Sequence, residues 1–238
     1  MLRTMKPYYK SPNALFLLLT LLAGSAVAGA TVEAGRVTLS FAEEGWQSSE
    51  ELPYNLEVSS AGGTIRGKAR VLTLPGADAK PQAVLYVGST WGRSQVYVRG
   101  SKCGEDPAAY VRDFNDFKLE NYRCVYIAGP YSVENLLTNT LQGLQQASKS
   151  VGASVVPTQS AYYLYMHMTA KGGAIIHAEG LFTPNFTGLP GAKPVAQVPA
   201  GLSPAIAVWA DQFAESAVET LSSFRGGLPV PKLEFSPL

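Results

Sequence analysis

Apolar and polar positions alternate with period two over most of the first hundred residues. "GRVTLSF" (residues 35–41), "YNLEVSS" (54–60) and "TIRGKARVLTL" (64–74) are β-type runs separated by polar or glycine-bearing turns. In the last of these, Ile65, Gly67, Ala69 and Val71 alternate with Arg66, Lys68 and Arg70, the pattern of a strand with one wet face. "AVLYVGS" and "SQVYVRG" follow, joined by "TWGR", which reads as a hairpin.

The period then changes. Asp106 before Pro107 has the form of an N-cap and first-turn proline, which predicts a short helix over 107–116. "YRCVYIAG" (122–129) reads as a strand. From Ser132 to Gly152 the apolar stripe Val133, Leu136, Leu137, Leu141, Leu144 and Val151 lies opposite Glu134, Thr138, Gln142, Gln145 and Lys149, an amphipathic helix. Two strands follow, "SAYYLYMHMTA" and "GAIIHAEGLF". A second long helix is predicted from Pro204 to about Phe224, capped by Ser203 and striped by Ile206, Trp209, Phe213, Ala217, Leu221 and Phe224.

Strands leading into mixed strands and helices, without regular alternation, predict an α+β fold. The expected form is a largely antiparallel sheet with two long amphipathic helices and one short helix, in two-layer packing with both long helices on one face. One domain over 31–238 is expected; the alternative is a small β part over 31–100 and an α+β part over 101–238. Residues 183–204, rich in proline, read as a solvated strap rather than a flap over a groove. Asn185-Phe186-Thr187 has the form of a glycosylation acceptor.

The first thirty residues place the chain in a compartment. Arg3, Lys6 and Lys10 precede the apolar run from Ala14 to Gly24, and small residues follow. This is the form of a secretory signal peptide, cleaved near residue 28 or 30. No later apolar run approaches the ~20 residues of a membrane helix. A secreted or periplasmic protein with no membrane span after leader cleavage is therefore expected. The full chain has 19 basic and 18 acidic residues; loss of the leader's three cations leaves a net charge of about −2, which offers no footprint for nucleic acid.

The two cysteines, Cys103 and Cys124, bracket an acidic stretch. In an exported chain an even cysteine count favours a disulfide, and closure of that loop is worth roughly 3 kcal/mol in the chain-entropy model. The acidic residues between them do not match an EF-hand loop.

The sequence lacks G-x-x-x-x-G-K-[ST], G-x-S-x-G, H-E-x-x-H and C-x-x-C. One constellation stands out. The only two histidines, His167 and His177, lie on consecutive predicted strands. A three-residue loop, Lys171-Gly172-Gly173, pairs His167 with His177, Tyr165 with Glu179 and Met166 with Ala178, and keeps polar and apolar faces consistent. Two imidazoles and a carboxylate form a ligand set for zinc or another divalent metal, or an acid–base cluster. The simpler expectation is a polar, solvent-facing side of an antiparallel pair. Tyr163 and Tyr165 on that side are candidate binding residues.

Three classes of function follow. The favoured one is a non-catalytic extracytoplasmic domain binding a partner protein or small ligand, without cofactor. The others are a metal-dependent enzyme using His167, His177 and Glu179, and an accessory subunit of an envelope assembly.

Overall fold

The computed structural model describes residues 26–27, 31–42, 45–58, 63–76, 81–91, 107–114, 122–139, 141–151, 160–170, 174–185, 202–223, 226–233 and 235. Twelve strands and three helices lie among them: β1 (Ala26–Val27), β2 (Thr31–Ala34), β3 (Val37–Phe41), β4 (Trp46–Ser48), β5 (Leu52–Val58), β6 (Gly63–Pro75), β7 (Pro81–Trp91), β8 (Ala109–Asp113), β9 (Arg123–Ser132), α1 (Val133–Asn139), α2 (Gln142–Val151), β10 (Ser160–Ala170), β11 (Ala174–Phe182), α3 (Pro204–Ser223) and β12 (Gly227–Val230).

Strands dominate, and the expected α+β arrangement with two long helices on one face does not hold. A large antiparallel sheet runs β1-β4-β6-β7-β11-β10-β9-β8, with β5 also pairing β6. A small sheet, β12-β3-β2, contains the parallel pair β12–β3.

Both faces of the large sheet are covered at its centre. Leu164, Met166 and Met168 of β10 join Ile176, Ala178 and Phe182 of β11 in a core shared with α3 and the small sheet. The intervening Tyr163, Tyr165 and Leu181 face a second core with Val133, Leu136, Leu141, Leu144 and Ala147 of α1 and α2. The helices thus divide between opposite faces. Alternation along one strand supplies each core with its own row of side chains.

The single helix expected over 132–152 is two, α1 and α2, and the Leu141 N–H donates to the Leu136 carbonyl at the junction. Their apolar residues belong to one stripe, so periodicity did not reveal the break. The short helix expected over 107–116 is also corrected, because Ala109–Asp113 is strand β8, antiparallel to β9. The Asp-Pro capping signal is overridden there by pairing with β9, which buries Ala109 and Tyr110. Arg112 fastens this edge strand to α3 through ion pairs with Asp211 and, at 3.1 Å, Glu215. The Tyr110 hydroxyl donates to Asp211 Oδ1 at 3.1 Å.

The three alternating cations of β6 have separate surroundings. Arg70 donates to the Glu33 carbonyl and to the Ser49 carbonyl. Lys68 pairs with Glu51 at 2.5 Å. Arg66 is exposed. The expected "TWGR" hairpin is described only as far as Trp91, the end of β7; its remainder from residue 92, most of the 183–204 strap and Cys103 lie outside the described residues. β1 falls within the expected leader and pairs with β4.

Candidate functional site: a buried polar row beneath α2

The β10–β11 register is the one the polarity argument selects. His167 pairs with His177, Tyr165 with Glu179 and Met166 with Ala178. On the outer side of β10, His167 pairs with Cys124 and Tyr165 with Tyr126; on the outer side of β11, His177 pairs with Gly88 and Glu179 with Tyr86. Two cross-sheet rows result: Cys124–His167–His177–Gly88 and Tyr126–Tyr165–Glu179–Tyr86. Paired residues point to the same side of a sheet, so all of these side chains belong to the face under α1 and α2.

That face is not solvated here. His167 is 1 % exposed, His177 6 % and Glu179 3 %. The expectation of a wet polar face therefore fails. Amphipathic α2 covers it, and local strand polarity carries no record of that cover. Buried polar groups need partners, and Glu179 supplies them on two sides. Its Oε1 lies 3.2 Å from His177 Nε2, and its Oε2 accepts the Leu144 N–H at 2.8 Å. Leu144 is the third residue of α2. Its amide is one of the first-turn donors without an intrahelical acceptor, so a carboxylate from the sheet performs the work of an N-cap and meets the positive end of the helix dipole. Nε2 of His177 and Oε1 of Glu179 thus share one buried hydrogen bond.

Two glycines allow this approach. A Cβ at Gly143 would lie 2.5 Å from Tyr86 Cε1 and 3.1 Å from Glu179 Oε2. A Cβ at Gly88 would lie 2.8 Å from Tyr54 Cδ2. The first glycine brings the start of α2 down onto the carboxylate, and the second lets the Tyr54 ring cross the sheet towards the histidine. Aromatic rings then surround His177. Tyr54 lies nearly parallel to it with centroids 6.0 Å apart; Tyr165 meets it edge-on at 5.1 Å and His167 at 5.9 Å.

Tyr54, Tyr86, Gly88 and Gly143 were not among the residues singled out in the sequence. Gly143 carried a signal, a glycine inside an otherwise strong helical pattern. Tyr54 and Tyr86 carried none beyond strand propensity. Tyr163 and Tyr165 are both buried, 7 % and 8 % exposed. Tyr163 packs on Tyr126 and Tyr131, with centroids 5.3 and 5.9 Å away, and belongs to the packed layer rather than to an open surface.

The metal reading needs three ligands converging on one point. Among the described residues no group of three His, Cys, Asp or Glu side chains is placed to hold a metal ion. Glu179 has one oxygen engaged by the α2 backbone and the other by His177.

Burial raises the Tyr54 hydroxyl well above its usual range, reinforced by Tyr86, Tyr165 and Glu179. Tyr86 is raised by burial and then by Glu179, and Tyr110 by burial and then by Asp211. In the unfolded chain these phenols ionise near pH 10. Above that pH the unfolded state has lost protons that the folded state still holds, so stability falls as pH rises. Below it the contribution is fully present. We expect base-induced unfolding to begin near pH 10, with a slope of up to about 1.4 kcal/mol per pH unit from each tyrosine. The Tyr54 hydroxyl is also buried and has no hydrogen-bond partner among the described residues. Tyr54→Phe should flatten the alkaline limb and leave stability at pH 7 unchanged or about 1 kcal/mol higher. Urea titrations from pH 7 to 11 check both; a variant with an unaltered alkaline slope contradicts the assignment.

No protein-family model, curated protein or solved structure matches the chain significantly. Among the described residues no helix is long and apolar enough to cross a membrane.

Proposed function

We propose that the chain is an exported, non-catalytic extracytoplasmic domain that binds a ligand or partner outside the cytoplasm. The observation supporting this reading is the engagement of Glu179 by both His177 and the start of α2. Glu179 and His177 are sealed beneath the start of α2, with His167 buried beside them. A catalytic group must reach its substrate with a proton or coordination position to offer, and this row is covered by packed helix.

The competing reading, a metal-dependent enzyme on His167, His177 and Glu179, makes the opposite forecast. Mature protein purified without chelator should contain no stoichiometric zinc, copper, nickel or iron by elemental analysis. Added zinc should leave the melting temperatures of the wild type and of His167→Ala unshifted. One equivalent of metal per chain, lost in His177→Ala, would establish the enzyme reading instead.

Export also implies an oxidising compartment, and with it the bridge Cys103–Cys124. Its Cys124 end is buried on β9 beside His167. Iodoacetamide should label neither cysteine in the unreduced, denatured protein, whereas two labelled thiols would remove the bridge.

A further inference from the structure

The face of the large sheet that carries α3 and the small sheet is not covered along its whole length. Leu72 and Leu74 of β6 are buried there, whereas Arg66 and Lys68, further back along the same strand and on the same side, are exposed. The cover ends at the turn between β2 and β3. That turn, Gly35-Arg36, is anchored to β7. The Arg36 N–H donates to Ser89 Oγ at 3.1 Å, and the Ser89 hydroxyl donates to the Ala34 carbonyl. Ser89 is itself buried, 1 % exposed, and pairs with Lys68 across the ladder. The turn is thereby held at a fixed height over the sheet. The space beside it is a cleft of about 440 Å³ lined by Gly35, Arg36, Arg66, Gly67, Lys68, Ser89 and Thr90.

Three cations and no acidic residue line this cleft. Lys68 is partly neutralised by Glu51 at 2.5 Å, with the lysine side chain 62 % exposed. The guanidinium groups of Arg36 and Arg66 have no acidic partner among the described residues. The local balance contrasts with a mature chain expected to be slightly acidic overall. The neighbouring Arg70 shows the structural use of such a residue, both of its bonds going to backbone carbonyls of adjacent segments. Among the described residues Arg36 and Arg66 make no bond of that kind, and both line a concavity of small-ligand size.

We propose that this cleft binds a small ligand through an oxyanion group, a carboxylate or a phosphate. This rests on reading the chain as a binding domain, and it names the chemical class of that domain's ligand. Guanidinium forks match the two oxygens of either group bidentately. The Lys68 ammonium adds a point charge on the same side, and the serine-anchored turn fixes where Arg36 begins. Because the cleft is open to solvent, salt screens the attraction, so binding weakens as ionic strength rises.

The test uses the mature protein with two probes, inorganic phosphate and citrate, titrated calorimetrically in low-salt buffer. One saturable site is expected for at least one probe, with a dissociation constant on the order of 1 mM or tighter. Arg36→Glu and Arg66→Glu should each weaken it at least tenfold without lowering the melting temperature, since neither side chain supports the fold. Lys232→Glu, away from the cleft, should leave it unchanged. Preference for phosphate identifies a phosphorylated ligand, and preference for citrate a polycarboxylate. The proposal is overturned if neither probe saturates, or if both charge reversals leave the affinity unchanged. Either of those results would leave the non-catalytic reading standing, because that reading answers to metal content.

Discussion

Glu179→Ala should destabilise the protein by about 3–5 kcal/mol, the cost of removing one partner from a buried charged network. The loss exceeds that of a surface carboxylate because two buried groups lose their partner together: Nε2 of His177 at 3.2 Å and the Leu144 N–H at 2.8 Å. Neither reaches water, since Leu144 is 1 % exposed and His177 6 %. Glu179→Gln keeps an oxygen for the Leu144 N–H and presents an amide NH₂ to His177. Its cost should be smaller, about 1–2 kcal/mol. Chemical denaturation of the three proteins at pH 7 gives the comparison. Equal stability of wild type and Glu179→Ala would mean that α2 does not depend on the carboxylate.

Trp209→Ala should cost a similar amount, about 3–5 kcal/mol, on the opposite face. Trp209 is fully buried on α3, with the Phe182 ring 4.9 Å away and the Phe213 ring 5.3 Å away. Its indole N–H donates to the Pro231 carbonyl at 2.9 Å, just beyond β12. The substitution therefore opens a cavity between α3 and the large sheet and also unties the segment that follows the small sheet's parallel strand. For a chain of this size the melting temperature should fall by roughly 10 °C. Trp209→Phe, which keeps most of the volume and loses the hydrogen bond, separates the two contributions. A melting temperature unchanged in Trp209→Ala would show that α3 is not packed on this core.

The two substitutions probe parts of the fold that the sequence disclosed unequally. The α3 helix was legible: serine cap, proline in the first turn and a sustained apolar stripe agree with one another. The hairpin register was legible as well, because a one-residue slip would put His167 opposite an apolar residue and mix both faces. What alternation could not reveal was cover. A strand whose polar face is buried under a helix looks the same as one whose polar face meets water, since the difference lies in residues 142–147, far from 174–182 in sequence. Sequence pattern thus places the histidines on one side of the right strands and leaves their burial under α2 undisclosed.

Other misreadings have equally local causes. The Asp106-Pro107 pair imitates a helix start, while Ala109–Asp113 is decided by its partner strand β9. β2 and β12 have four residues each, too few for periodicity to register. The basic cleft was hidden for a related reason. Arg36 comes from a turn and Arg66 from a long strand, and only the anchoring of that turn on Ser89 brings them to one concavity.

Glu179, held by His177, is the structural cap that keeps α2 on the sheet. Amide hydrogen exchange at Leu144, followed by NMR in the wild type and in Glu179→Ala, tests it most directly. In the wild type this amide, although in the first turn of its helix, should exchange only through global unfolding, and the substitution should lower its protection well below that of the β10 and β11 amides. Rapid exchange of the Leu144 amide in the wild type, at the rate of an uncapped helix end, would contradict the claim.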